Sequence, residues 1–390
     1  MLEIIKVTSK KEVSDFIHLP DYIYQDCPQY VPDLRDDVRA LIAQREVATK
    51  DGTLYIQPFV AYRHEVPVGR IVGIINECAN KKWHTKNIRF SMIEFIDDLE
   101  VSAALLNTVA EWGQSFGMTH IQGPLGITDF DKEGMLVENF DMPGSPSTIY
   151  NPDYYPRHMA AWGMTKEVDW VQIHINIPKE IPGRYQRVAQ YCREQMGLRV
   201  IKVSANMIRN KGYGKKIFDL LNVAYEPLFG FTRFSEEQTK QFINKYLPVI
   251  DTRLIPLIVD EKDEVVGVAV TMGGLSKAMH KAGGSLWPFG WWHLLKALKW
   301  KLEDNAEMLL IAVRPDLQGY GVNALFFEDL IPLYNKYGFR WAETGPQLED
   351  NVRELSQWKP LNPEVIKRRR CYCKEVKKIN SQIVNSQIVK

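Results

Sequence analysis

The chain is short of several things, and each shortage removes a class of function. No run of 18 apolar residues occurs in the 390 residues, so no membrane-spanning helix is expected. Net charge is only +1, with 49 basic against 48 acidic side chains, so no global field favours nucleic acid. Cysteine is scarce: five residues, an odd number, of which only Cys371 and Cys373 are close. No histidine or third cysteine flanks that pair, so reduced structural thiols are expected and no metal site. The opening residues "MLEIIKVTSKKEV" lack an apolar core and a cleavage pattern, so no signal peptide is expected and the cytoplasm is the expected compartment. What remains is ordinary globular composition, 45% hydrophobic and 25% charged, long enough for two or three domains.

The chain repeats itself. "IIKVTS" at 4–9 resembles "VIKVSA" at 200–205, and "PFVAYRHEVPVGRIVGI" at 58–74 resembles "PLIVDEKDEVVGVAVTM" at 256–272. In the second pair Gly69 and Gly267 are 198 apart, and each stretch reads as strand, charged turn, strand. "FGMTHIQGP" resembles "YGFRWAETGP", with Gly123 and Gly345 222 apart, so the second half carries 24 extra residues between the anchors. Three matches in one order indicate a duplicated domain. Helices alternating with strands around a hairpin predict an α/β class, with a mixed central sheet flanked by helices in each half. The expected boundaries are 1–178 and 185–378, joined through the Pro/Gly-rich "NIPKEIPGRY", with 379–390 a flexible tail.

The most informative stretch is "AVRPDLQGYGVNALFF", 312–327. A buried strand ends at Pro315, Gly319 and Gly321 follow, and helical spacing begins near Ala324. Glycines at a helix entrance leave backbone N–H groups pointing outward with the helix dipole behind them, which suits a phosphate. A tight structural turn is the competing explanation. The dinucleotide fingerprint G-x-G-x-x-G/A also fits in part, with Ala324 at its last position and Glu343 roughly where an acidic residue belongs.

A second pattern fits better. "VRPDLQGYGVNAL" resembles motif A of the GCN5-related N-acetyltransferases, the GNAT superfamily, with Gln318 and Gly321 matching its Gln/Arg-x-x-Gly-x-Gly/Ala signature. Asn323 departs from the small residue usual at the last position. The resemblance extends over both halves, as tandem GNAT domains, and is closest to bacterial tandem-GNAT proteins with an "LEDN" segment, of the ceramide-synthase-like type. It implies an acyl-CoA or acetyl-CoA co-substrate held by Val313, Gln318, Gly319, Tyr320, Gly321, Val322, Asn323, Ala324 and Asn351, with no metal. It implies acyl transfer to a primary amine, either a long-chain, sphingoid-type amine or a small polar one. The first half has no glycines after its strand "NIRFSMIEFI"; Asp97, Asp98 and Glu100 stand there and would repel a phosphate. That half is expected to be a degenerate GNAT fold without CoA. A non-catalytic scaffold built from two degenerate halves is the alternative outside enzymology.

For the chemistry, the Val313 N–H is the expected oxyanion donor, Glu343 the first candidate base and Glu307 the second. No tyrosine occupies the family's usual general-acid position; Tyr334, Tyr337 and Tyr372 are the substitutes to examine. In the long loop 123–156, Asp129, Asp131 and Glu133 are candidates to hold a cationic amine. The extra residues centre on "GGSLWPFGWWHLLKALKWKLED", where Trp291, Leu294, Leu295, Leu298 and Leu302 share one helical face. Three readings stand for it: packing on the core, a lid over an acyl tunnel formed with Trp291 and Trp292, or peripheral contact of 287–302 with the inner membrane surface.

Overall fold

A computed structural model of the chain describes residues 1–300 and 303–376. Leu302 and the expected tail at 379–390 lie outside the described residues. The chain divides into two compact units: one comprises Met1–Asp141, Ile149–Asp169 and the stretch from Arg369, the other Met142–Thr148 and Trp170–Arg368.

In the first unit, β1 (Leu2–Lys6), β2 (Thr53–Arg63), β3 (Val66–Asn76) and β4 (Asn87–Phe95) are successive antiparallel neighbours. The β2–β3 turn, His64–Glu65, has both φ values positive, at 50° and 65°, which lets the hairpin follow the strand twist. After β4, helix α1 (Leu99–Ser115) crosses back, and β5 (His120–Gly123) joins parallel to β4. The helix buries Val101, Leu105, Leu106, Val109 and Ala110, one stripe at helical spacing. It sits close because glycines make room: a Cβ on Gly73 would stand 2.8 Å from the Trp112 ring. Helix α2 (Tyr155–Ala161) completes this part of the core with Tyr155 and Met159.

The second unit repeats the plan. The inner part of β6 (Thr165–Asn176) leads into helix α3 (Gly183–Met196) and β7 (Arg199–Lys202). Helix α4 (Tyr213–Ala224) precedes the hairpin β8 (Pro256–Val259) and β9 (Val265–Gly273). Helices α5 (Ser276–Ala282) and α6 (Gly290–Trp300) come next, then β10 (Asn305–Val313), α7 (Asn323–Tyr337), β11 (Trp341–Thr344) and α8 (Val352–Ser356). The sheet order is β6-β11-β10-β9-β8-β7, with β10 and β11 parallel and the other pairs antiparallel. Helix α7 buries Leu325, Phe326, Leu330, Ile331 and Tyr334 and ends at Gly338, whose φ of +78° takes the left-handed cap. Each such aliphatic side chain contributes about 1.5–3 kcal/mol on burial.

The duplication holds at the level of register. Gly69 lies opposite Phe95, and Gly267 lies opposite Val313. Twenty-six residues separate the first pair and 46 the second, so 20 of the 24 extra residues fall between β9 and β10, where α5 and α6 stand. The others belong to the connection beyond Val313. In the first unit three residues, 96–98, link strand to helix; in the second, nine residues, 314–322, do.

Candidate active site

The site begins with a strand that outlasts its neighbour. β11 accompanies β10 only from Asn305 to Met308, and the Gly345 N–H closes the ladder on the Met308 carbonyl at 2.8 Å. Beyond that point β10 runs on to Val313, and Leu309, Leu310 and Ile311 are half-buried. The Arg314 N–H donates to the Val266 carbonyl at 2.8 Å, towards β9. By strand alternation the peptide groups of Val313 and Ile311 face the opposite, open edge. Two side chains meet them there: the Gln318 amide donates to the Val313 carbonyl at 3.0 Å, and the Tyr225 hydroxyl donates to the Ile311 carbonyl at 3.0 Å.

The open edge leads to the glycine turn. Pro315–Leu317 form one 3-10 turn, Gly319 and Gly321 have φ of +86° and +80°, and α7 starts at Asn323. The two glycines are not equivalent. A Cβ on Gly319 would meet open space, whereas one on Gly321 would stand 2.5 Å from Cγ1 of Val188 on α3. Tyr320 between them is 61% exposed, while Val322 and Ala324 are buried and fix the helix start. The Asn323 amide donates to Gln357 Oε1 at 2.6 Å, and its Oδ1 is buried without a partner among the described residues. Asn351 caps α8: its Oδ1 accepts from the Glu354 N–H at 3.3 Å, and its amide donates to the Glu354 carboxylate at 3.1 Å.

Two carboxylates lie opposite each other at the closed end, Glu307 on β10 and Glu343 on β11. Their surroundings separate them. Glu343 Oε1 accepts from Gln172 at 2.8 Å and from the Lys367 ammonium at 2.9 Å, so it is committed to a buried ion pair. Glu307 Oε2 accepts from the Ser145 hydroxyl at 2.8 Å and the Ser147 hydroxyl at 3.3 Å, while its Oε1 is buried with no partner among the described residues. Burial, aided by the charge of Glu343, pushes the Glu307 carboxyl up to about 7. The segment carrying the two serines is pinned by Ser276 to the Gly144 carbonyl at 3.1 Å and by Lys367 to the Pro143 carbonyl at 2.7 Å.

No protein-family model matches the chain. Protein YghO of Escherichia coli K12 is 24% identical over 376 residues, 94% of either chain. The bacterial ceramide synthase of Caulobacter vibrioides is 28% identical over 320 residues, 81% of this chain and 82% of that protein. A solved tandem GNAT protein from the clavulanic acid biosynthesis pathway superposes with a TM-score of 0.58 at 12% identity, over 97% of this chain and all of that one. This chain has the tandem GNAT fold.

The GNAT halves differ where the open edge matters. In the first, β5 leaves β4 as β11 leaves β10: Arg89 pairs with Gln122, and the Leu125 N–H closes on the Phe90 carbonyl at 2.9 Å. There, however, the edge is filled. Phe95, the counterpart of Val313, donates its N–H to the Tyr155 hydroxyl at 2.9 Å and accepts from the Tyr154 hydroxyl at 2.6 Å, and its ring stacks on Tyr155 at 4.0 Å. Asp98 caps α1 and pairs with Arg63; Asp97 binds Arg157 and His158. These acids are explained by helix start and ion pairing. Ser102, His158 and Asp97 form a bonded string, at 2.7 and 2.8 Å, with the atom types of a nucleophile triad. Ser102 is 1% exposed, so its hydroxyl meets no substrate and the string clamps α1 to α2.

Other sequence candidates fall elsewhere. Asp131 is exposed and accepts from the Thr128 N–H at 2.8 Å within its own loop; Asp129 and Glu133 are raised above the usual carboxylate range by burial, with Arg89 opposing. Tyr334 sits in the core, Tyr337 donates to Asp251 at 2.9 Å, and Tyr372 belongs to the sheet of the first unit. Trp291 and Trp292 are 45% and 40% exposed. Sequence reasoning missed Tyr225, Ser145, Ser147, Gln172 and Lys367, and no local motif marks any of them. Among the described residues no group of histidine, cysteine and acidic side chains is arranged to hold a metal, and no helix is long and apolar enough to cross a membrane.

Proposed function

We propose that the second unit transfers an acyl group from an acyl-CoA thioester to a primary amine. The observation that carries this is the open edge of β10, running from a partly unpartnered carboxylate to a glycine turn at a helix start. The turn N–H groups and the positive end of α7 receive the pyrophosphate, and the arm of the co-substrate lies along the β10 edge. Glu307, near neutral pKa, takes the proton from the attacking amine. The amine nitrogen bonds the acyl carbon, and the developing oxyanion accepts from an N–H group of the open edge close to where β11 leaves β10; Val313, six residues and roughly 20 Å along the strand from Glu307, borders the arm of the co-substrate instead. The carbon–sulfur bond then breaks, and Tyr225 delivers a proton to the leaving thiolate. Glu343 is the less suitable base because its ion pair with Lys367 would have to be broken first. The first unit, with its edge filled by Tyr154 and Tyr155, binds no CoA. A long-chain amine is the favoured acceptor, on the name of the Caulobacter relative.

The test is calorimetry with CoA, with one site expected per chain, followed by thiol release from a panel of acetyl- to palmitoyl-CoA against polyamines and sphinganine. Two CoA sites would overturn the assignment of the first unit, and NAD binding in place of CoA would overturn the reaction. Turnover restricted to acetyl-CoA and small polar amines would remove the lipid acceptor. Tyr225→Phe is expected to keep CoA affinity and lower kcat by about 100–10,000-fold; unchanged kcat would exclude Tyr225 as the acid.

A further inference from the structure

Helix α6 and the turn before it leave an apolar face outward that neither unit's core uses. Six of the eighteen large apolar side chains exposed among the described residues fall within residues 287–300: Trp287 at 80%, Phe289 at 73%, Trp291, Trp292, Leu295 and Trp300. Of the apolar stripe read from the sequence, Trp291 and Leu295 are exposed while Leu294 and Leu298 are half-buried, and the fully buried positions of the helix are Gly290 and Ala297. A Cβ on Gly290 would stand 1.8 Å from the Ser285 carbonyl, so the helix start is pressed onto its own turn while the aromatic side stays free.

Charge selects among the occupants this face could take. Between 276 and 300 the sequence has Lys277, Lys281, Lys296 and Lys299 and no aspartate or glutamate. Lys296 lies over the Trp292 ring at 4.9 Å and Lys299 over the Trp300 ring at 5.4 Å, so each ammonium is held at the edge of an aromatic surface. Two copies meeting through this face would set lysines against lysines, whereas acidic headgroups complement them. Eleven residues give a helix of about 16 Å, too short for a hydrocarbon core of about 30 Å, so it lies flat. Tryptophan suits that depth, with an apolar body and a polar N–H.

We propose that residues 285–300 dock this protein onto an anionic lipid bilayer, with the aromatic side chains at headgroup depth and the lysines on the lipid phosphates. This does not depend on the acyl-transfer reading. The experiment is co-sedimentation of the full chain with phosphatidylcholine vesicles, with and without phosphatidylglycerol, followed by tryptophan emission. Binding to the anionic vesicles with a blue-shifted emission is expected, weakening as salt is raised. A Trp287→Ser, Phe289→Ser variant and a Lys296→Glu, Lys299→Glu variant are each expected to lose about tenfold or more in partitioning, while far-UV circular dichroism and an unchanged cooperative thermal transition report that the fold is intact. No vesicle binding, equal binding by both variants, or a sedimentation velocity showing a second copy seated on this face would overturn the proposal.

Discussion

Gly321→Ala separates a glycine required for its backbone from one required for its packing. At φ of +80° an alanine is strained by about 1–2 kcal/mol. Its methyl would also stand 2.5 Å from Val188 Cγ1, and a β-branched valine cannot swing away without leaving its rotamer. Overpacking of that kind costs about 1–3 kcal/mol. Gly319→Ala carries the same strain at φ of +86° and meets nothing, so only the first cost applies. Scanning calorimetry should therefore show Gly319→Ala lowering Tm by about 2–8 °C and Gly321→Ala by about 4–20 °C, at 2–4 °C per kcal/mol for a domain of this size. Val188→Ala removes the clashing methyl. The double variant should recover about 1–3 kcal/mol relative to the sum of the single changes. CoA titrations should follow the same order, because the displaced turn moves the N–H groups at the start of α7. Equal losses at the two glycines, or no coupling to Val188, would refute this reading of the turn.

Other outcomes follow from the two carboxylates. The parent is expected to gain rate with pH up to about 7, and Glu307→Gln should abolish most turnover and remove that rise; an unchanged pH–rate profile would exclude Glu307 as base. Because its folded pKa lies above the ordinary 4.5, the acid form is the one the fold favours. The parent should then lose up to about 3 kcal/mol relative to the Gln variant as pH rises from 4.5 to 7, and none below, as urea unfolding across that window will show. Glu343→Gln leaves the Lys367 ammonium, 2% exposed, without its counter-charge and should cost about 3–5 kcal/mol, with much of it restored in Glu343→Leu, Lys367→Met. A Tm unaffected by Glu343→Gln would show that the pair is not formed.

The sequence by itself determined what is local. A proline after an apolar run, two glycines and a helical period are enough to write strand, turn and helix over 306–337, because positive φ and side-chain period act within a few residues. The hairpins were legible for the same reason, and their matching glycines carried the duplication through to a shared register, Gly69 with Phe95 and Gly267 with Val313. Tertiary structure decided everything that depends on a distant partner. Glu343 looked the better base by its neighbours in sequence, but its ion-pair and hydrogen-bond partners are 24 and 171 positions away, and Glu307 takes its hydroxyl partner from 162 positions away. Tyr225 meets the open edge across 86 positions, with no motif to announce it. The periodicity of 290–300 grouped Trp291 with Leu295 but carried no information about which face found a neighbour, and the aromatic one did not. A repeating pattern specifies which side chains travel together; burial and charge pairing, which set pKa and reactivity, exist only once remote segments have met.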